Sequence, residues 1–206
     1  MASENLWPPS EFVSVGVHAS ARFAAAAHAR RDTIGIWGDG SLAYIVSCIL
    51  KKAFPDSKLV VVGKDPTKLA LFTFVDDTYL ADGLPQDFQV DHAFECAGGE
   101  GSYYAIDDII RTIGPQGTVM LMGVSENKVA VNTRNVLEKG LTMIGCSRSG
   151  RSDFEKAVSY MEEPAFQDRL NAIIYEDQPV HSVDDILRVF ANDLNTPFKT
   201  AFRWSL

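Results

Sequence analysis

Along this chain, short apolar runs that stop at glycine alternate with longer stretches whose apolar residues recur at helical spacing. The clearest instance runs from Thr33 to Ala53, TIGIWGDGSLAYIVSCILKKA. Thr33, Ile34, Ile36 and Trp37 suit a buried strand, and Gly38-Asp39-Gly40 forbids its continuation. Ser41 can cap a following helix whose packed face is Leu42, Ile45, Val46, Ile49 and Leu50. Ahead of it, VSVGVHASARFAAAAH, from Val13 to His28, has strong helix formers and a broad apolar face, and predicts a helix packed beside the sheet. Met1 to Ser10, with Trp7-Pro8-Pro9, reads as an extended lead-in.

The same alternation continues. Lys58 to Val62 predicts a second strand ending at Gly63-Lys64, and Asp65-Pro66 starts a helix through about Phe72. Asp77 to Leu80 is a weak third strand. The stretch ADGLPQDFQ that follows is too short, and too broken by Gly83 and Pro85, for a full crossover helix, so the next connection is abbreviated. Asp91 to Cys96 is a fourth strand, followed by a helix from Ser102 to Ile113 with Ile106, Ile109, Ile110 and Ile113 on one side. Thr118 to Met122 is a fifth strand; then come a short strand Lys128 to Val131, a helix Thr133 to Lys139 and a sixth strand Leu141 to Cys146. The tail predicts a helix from Ser152 to about Met161, a strand at Ile173-Ile174, a helix from Val183 to Ala191 capped by Ser182, and a last strand Thr200 to Trp204. Alternating strands and helices imply an α/β fold with a mostly parallel sheet covered on both faces.

Composition narrows the classes. A chain of 206 residues, 46% hydrophobic and 22% charged, buries one sizeable core. A net charge of −8 gives a nucleic-acid role little electrostatic support. No apolar run approaches the roughly 20 residues of a membrane-spanning helix, and no signal peptide is recognisable, so a cytoplasmic location without a membrane partner is expected. Cys48, Cys96 and Cys146 are odd in number and widely spaced, which suits buried thiols rather than a disulfide framework or a zinc knuckle.

The candidate chemistry lies at the glycine turn. Gly38-Asp39-Gly40-Ser41-Leu42-Ala43 fits G-x-G-x-x-[G/A] between a strand and a helix, with a second strand at the expected distance, and this context points to a dinucleotide. The unpaired N–H groups and dipole of a helix N-terminus favour a pyrophosphate there. An NAD-preferring site usually has an acidic residue at the end of the second strand, where this chain has Gly63. Without that carboxylate, and with the Lys64 cation beside it, a ribose 2′-phosphate is tolerated and NADP is favoured over NAD. The alternative is that Lys64 is a solvated loop lysine and Asp65 serves the ribose. Ala97-Gly98-Gly99 and Gly123-Val124-Ser125 close the fourth and fifth strands at the same carboxyl edge, where short residues let a ribose and nicotinamide approach, or simply make tight turns.

Taken together these residues resemble the medium-chain dehydrogenase/reductase superfamily, in its zinc-dependent alcohol and polyol dehydrogenase branch. Glu11-x-x-Ser14-Val15-Gly16-Val17-His18-Ala19 resembles the opening segment of sorbitol-dehydrogenase-like enzymes, and Phe94-Glu95-Cys96-Ala97-Gly98 resembles their fourth strand. Within the branch, VDHAFECAGG, GVSE, LEKGLTMIGCSRSGR and TPFKTAFRW are most similar to the ribulose-5-phosphate reductases, also called ribitol-5-phosphate dehydrogenases. The resemblance implies a Rossmann doubly wound six-stranded sheet of order 3-2-1-4-5-6. It further implies a division into a lead-in at 1–12 from a catalytic domain, an NADP-binding domain at 13–165 and a segment at 166–206 returning toward that catalytic domain.

The family pattern implies NADPH, zinc and a sugar phosphate destined for CDP-ribitol in teichoic acids or capsules. It puts Glu11 on a glutamate that can complete a zinc shell, Arg148 on an arginine near substrate and nicotinamide, and Lys199 on a basic residue near the pyrophosphate. Arg151 is close enough in sequence to share a phosphopentose phosphate with Arg148, although the two are equally readable as loop arginines capping the next helix. His18 falls beside the nicotinamide side of the helix that carries it, where a packed histidine is the plainer role. The family's catalytic domain, with its zinc ligands and proton relay, has no counterpart here, so the chain is expected to bind NADP(H) without turnover. A stand-alone NADP(H)-binding module, acting as a sensor or with a catalytic partner in trans, is the alternative. Family members commonly pair the sixth-strand edge with its copy, which implies a homodimer.

Overall fold

The computed structural model describes residues 9–205; Trp7 and Pro8, and with them most of the expected lead-in, lie outside the described residues. Helix α1 (Ser10–Ala26) comes first, three residues earlier than its apolar pattern begins, because Ser10, Glu11 and Phe12 continue the turn that Pro9 opens. Strand β1 (Thr33–Trp37), helix α2 (Ser41–Ala53), strand β2 (Lys58–Gly63), the single turn of helix α3 (Pro66–Leu69) and strand β3 (Asp77–Leu80) follow. Next come β4 (His92–Glu95), α4 (Gly101–Thr112), β5 (Thr118–Leu121), α5 (Thr133–Lys139) and β6 (Thr142–Gly145). The tail is α6 (Arg151–Met161), α7 (Pro164–Asn171), β7 (Ile174–Glu176), α8 (Val183–Asp193) and β8 (Lys199–Ala201).

β1 to β6 form one six-stranded sheet of order β3-β2-β1-β4-β5-β6, with every neighbouring pair parallel. This is the α/β doubly wound sheet that the alternation of elements implies. Registers such as Ile36↔Val61 and Ile36↔Phe94 place β1 in the middle, where neither face meets solvent. The chain leaves β3 through a short 3-10 turn at Ala81–Gly83 rather than a helix, so the abbreviated crossover is real.

Alternate residues of the strands feed two cores. Ile34, Ile36, Leu59, Val61 and Phe94 pack with Val13, Phe23, Ile45 and Ile49 of α1 and α2. Trp37, Val62, Ala93 and Val119 pack on the other face with Ala105 and Ile109 of α4. The tail joins the first core through Phe166, Leu170, Ile173 and Phe198, and β7 and β8 pair with each other as a separate parallel ladder.

Four expectations need correction. Lys128 to Val131 is not a strand: among the described residues it forms no ladder of backbone hydrogen bonds with another strand. Helix α7 was not expected: PAFQDRLN has only Phe166 and Leu170 at i, i+4 for burial, too short an apolar period to register. The tail strands are displaced, to Ile174–Glu176 and Lys199–Ala201, with Trp204 kept only as an isolated bridge to Val180. Helix α3 stops at Leu69, well short of Phe72.

Candidate functional site

The exit of β1 is fastened on both sides before the turn begins. Gly38 N–H donates to Val62 C=O at 2.8 Å and Cys96 N–H donates to Trp37 C=O at 2.7 Å, which ties β1 to β2 and β4 at their carboxyl ends. Gly38 has φ +135°, a conformation that side chains rarely adopt, and it lets the backbone reverse at once toward α2. Ser41 does not cap that helix. Gly40, in extended backbone, is the N-cap and Ser41 is the first helical residue, buried beneath the turn. The first bond of the helix runs from Tyr44 N–H to Gly40 C=O at 3.0 Å, so the amides of Ser41, Leu42 and Ala43 precede the helix's own ladder. Ligand phosphate oxygens are suited to such amides.

Beside this turn lies a cleft of about 270 Å³ whose walls include Trp37, Asp39, Gly63, Lys64, Lys68 and Tyr104. Gly38, Gly40 and Ala97 line it too, so five of the expected cofactor residues share one space. Gly63 is there for close approach: a Cβ on it would lie 2.7 Å from Asp39 Cβ and 2.8 Å from Asp39 Oδ2. Asp39 occupies that space because its Oδ2 accepts from the N–H groups of Lys64 at 2.6 Å and Asp65 at 2.8 Å. The Lys64 ammonium lies 5.3 Å from the centre of the Tyr104 ring. The Asp65 carboxylate faces away, accepting from Thr67 N–H and Lys68 N–H as the cap of α3. Trp37 Nε1 is buried with no hydrogen-bond partner among the described residues, an orphan donor in a residue of the cleft wall. Lys68, Tyr104 and Asp39 were not read from the sequence as site residues; the signal available was a second lysine one helical turn from Lys64.

The remaining cofactor candidates distribute around the same sheet edge. Ser41 and Lys199 line a neighbouring cavity of about 80 Å³ with Phe12, Ile45 and Ile174, so the tail brings its lysine to the start of α2. Lys199 Nζ is 3.6 Å from Asp193. Leu42 is half-buried on the first turn. Gly98 and Gly123 are bound from below by the Glu95 carboxylate, which is 1% exposed. Ser125 is on a more open depression with Gly99 and Tyr103, its hydroxyl donating to Asn127 C=O.

Both substrate-side candidates are exposed. Arg148 is exposed with φ +64°, on the loop between β6 and α6. Arg151 points along its own helix to Glu155 at 2.8 Å, with its side chain 92% exposed. That loop is held to α1 by Ser14 Oγ and Ser149 Oγ, 2.8 Å apart, and by His18 Nδ1 and Asp153 Oδ2, 3.0 Å apart. His18 is thus a packed, partnered residue between α1 and α6. Glu11 is exposed, and among the described residues no three His, Cys, Asp or Glu side chains converge on a metal-sized space. Catalytic zinc needs about three protein ligands, so these residues do not by themselves fit that ion. The thiols do not supply an alternative chemistry: burial pushes Cys48 up to about 12 and raises Cys96 and Cys146 too.

Comparison with known proteins finds relatives of this chain. The family described as "Zinc-binding dehydrogenase" matches residues 77–163. A ribulose-5-phosphate reductase of Streptococcus pneumoniae (strain ATCC BAA-255 / R6) is 52% identical over 197 residues, covering 96% of this chain and 57% of that protein. Another of the same name, from Bacillus spizizenii (strain ATCC 23059 / NRRL B-14472 / W23), is 45% identical over 199 residues, covering 96% and 58%. The crystal structure of S. aureus TarJ in complex with NADPH superposes with a TM-score of 0.90 at 43% identity, covering 96% of this chain and 63% of that one. The chain therefore spans a little over half the length of the curated relatives it matches.

Proposed function

The chain belongs to the medium-chain dehydrogenase/reductase superfamily, and we propose that it is the cofactor-binding part of an NADPH-dependent oxidoreductase that reduces ribulose 5-phosphate to ribitol 5-phosphate. The observation that carries this reading is the cleft in which the β1–α2 glycine turn, Gly63 and Lys64 meet. Gly38 and Gly40 leave room for a pyrophosphate against the start of α2, with Lys199 near its far side. Lys64, with Lys68 behind it, supplies positive charge for a ribose 2′-phosphate, while Tyr104 offers a flat wall at the adenosine end. The names of the similar proteins supply the substrate, a sugar phosphate.

In this reading the reduced nicotinamide, when bound, supplies the hydride that reduces the keto carbon. The work of these residues is to hold and orient it: the loops Ala97–Gly99 and Gly123–Ser125 carry the nicotinamide half at the sheet edge, and Arg148 faces the substrate. Residues 13–165 form the dinucleotide-binding unit and 166–206 lead back toward a substrate domain. Because the described residues do not assemble a zinc site, no step is assigned to zinc here, and the chain by itself binds NADP(H) without turning over substrate. We place the protein in the cytoplasm as a homodimer joined at the β6 edge. Titrating tryptophan fluorescence with NADPH and NADH tests the cofactor reading, and adding ribulose 5-phosphate tests the second half. Micromolar NADPH binding without turnover supports it; binding of neither nucleotide sinks it.

A further inference from the structure

The Glu95 side chain is buried under the carboxyl edge of the sheet, yet it carries four hydrogen bonds. Its Oε1 accepts from Ala97 N–H at 2.9 Å, Gly98 N–H at 3.3 Å and Ser102 Oγ at 2.9 Å. Its Oε2 accepts from Gly123 N–H at 3.0 Å. One carboxylate thus spans two loops, the one that leaves β4 and the one that leaves β5. A buried carboxylate is retained at a cost unless such donors compensate it, and three backbone amides with a hydroxyl do so here.

The packing leaves no slack in this bracket. A Cβ on Gly123 would clash with Glu95 Oε1 and lie 2.7 Å from Oε2 and 2.6 Å from Gly98 N. Gly99 N–H donates to Val124 C=O at 2.7 Å, so the two loops also touch directly above the carboxylate. Gly98 and Gly99 have φ +69° and +53°, which turns their amides down toward Glu95 and across to Val124. No part of Glu95 reaches the surface that a ligand would meet.

Resting on the dinucleotide reading above, we infer that Glu95 is a positioning residue: it fixes the spacing of the Ala97–Gly99 and Gly123–Ser125 loops so that the nicotinamide half of NADPH seats between them, without touching it. The adenosine half depends chiefly on Asp39, Gly63 and Lys64, none of which is a hydrogen-bond partner of Glu95; of the residues Glu95 holds, Ala97 alone borders that cleft. Glu95→Gln keeps the shape but replaces one acceptor oxygen by an NH₂ group, so a donor faces a donor at one of the two loops.

The test compares two ligands by titration calorimetry on the full chain: NADPH, which uses both halves of the site, and adenosine 2′,5′-bisphosphate, which uses only the adenosine half. E95Q is expected to weaken NADPH about tenfold, the effect of one lost hydrogen bond at a buried group, with less than about a twofold change for the bisphosphate. Ser102→Ala, which removes a single donor and leaves the backbone bracket in place, is expected to weaken NADPH about threefold and serves if E95Q does not fold. Equal losses for both ligands would mean that Glu95 merely supports the fold, and unchanged NADPH binding would mean that it does nothing; either overturns the inference. A wild-type chain that binds neither ligand overturns the dinucleotide reading and this one together.

Discussion

Asp39 Oδ2 lies 2.6 Å from the backbone nitrogen of Lys64. The carboxylate that an NAD-binding fold usually carries at the end of its second strand is therefore not simply missing from this chain. The Asp39 carboxylate, from the glycine turn, fills the space that Gly63 leaves open, and it is turned toward backbone amides. With Oδ2 engaged by two N–H groups, the loop at Lys64 is anchored from below, and its ammonium is free to line the cleft beside Tyr104.

Reversing that charge tests phosphate recognition. Lys64→Glu is expected to weaken NADPH about tenfold, close to the worth of one charge-assisted contact, and NADH by no more than about twofold. Equal losses for the two nucleotides, measured by fluorescence titration, would remove the case that Lys64 reads the 2′-phosphate.

Filling the space at Gly63 tests the Asp39 relationship itself. In Gly63→Ala the new methyl meets Asp39 and, at 2.9 Å, Leu69 Cδ2, so Asp39 must swing off the Lys64 and Asp65 amides. A loss of about 1–3 kcal/mol in urea unfolding is expected from the overpacking. Combining it with Asp39→Gly should cost less than the sum of the two single changes by at least about 0.5 kcal/mol. Additive costs would show that the two positions do not share this space.

His92 predicts a pH dependence of stability. Its Nδ1 accepts from Thr118 N–H at 3.0 Å and its Nε2 donates to Arg30 C=O at 2.9 Å, an arrangement only the neutral ring satisfies. Burial, then the neighbouring His28 ring, lowers its pKa from 6.5 to about 4. The unfolded chain takes up a proton that the native chain refuses, so the stabilisation is complete above about pH 6.5 and is lost as pH falls toward 4. The loss approaches about 3 kcal/mol at the acid end. A His92 ring resonance that titrates above pH 6 in the folded protein would contradict this.

The edge at β6 predicts assembly. Met143 and Ile144 are only half-buried on the outermost strand, and an apolar edge of this kind pairs readily with its own copy. Light scattering should give a mass twice that of one chain; a monomeric mass at micromolar concentration would count against the dimer.

The skeleton was legible because its signals are local. β1, β2, β4 and β5 are largely apolar runs closed by glycine or by polar residues, and the main helices that follow repeat their apolar positions, so the element order could be read from the pattern, while the sheet order came from the family resemblance. The rest failed where backbone geometry or a distant neighbour decides. Lys128–Val131 has strand-like residues but no adjacent strand. Ser41 has the right chemistry for a cap, yet Gly40, one residue earlier, takes the extended backbone that a cap requires. Helix α7 depends on Phe166 and Leu170 reaching the main core. The glycine turn, Gly63 and Lys64 were visible as a site, whereas Asp39 and Glu95 were not. Their roles come from amides 25 or more residues away in Lys64 and in Gly123, although an acidic residue ending the otherwise apolar run HAFE was a signal to heed.

In the proposed function the cleft between the β1–α2 turn and Lys64 holds NADPH. Trp37 is buried in the wall of that cleft, so its share of the emission from the chain's three tryptophans reports occupancy. Titration of the full chain with NADPH should give saturable quenching with a micromolar midpoint, and NADH should need a clearly higher concentration. No saturable change with NADPH, or tighter binding of NADH, would contradict the account.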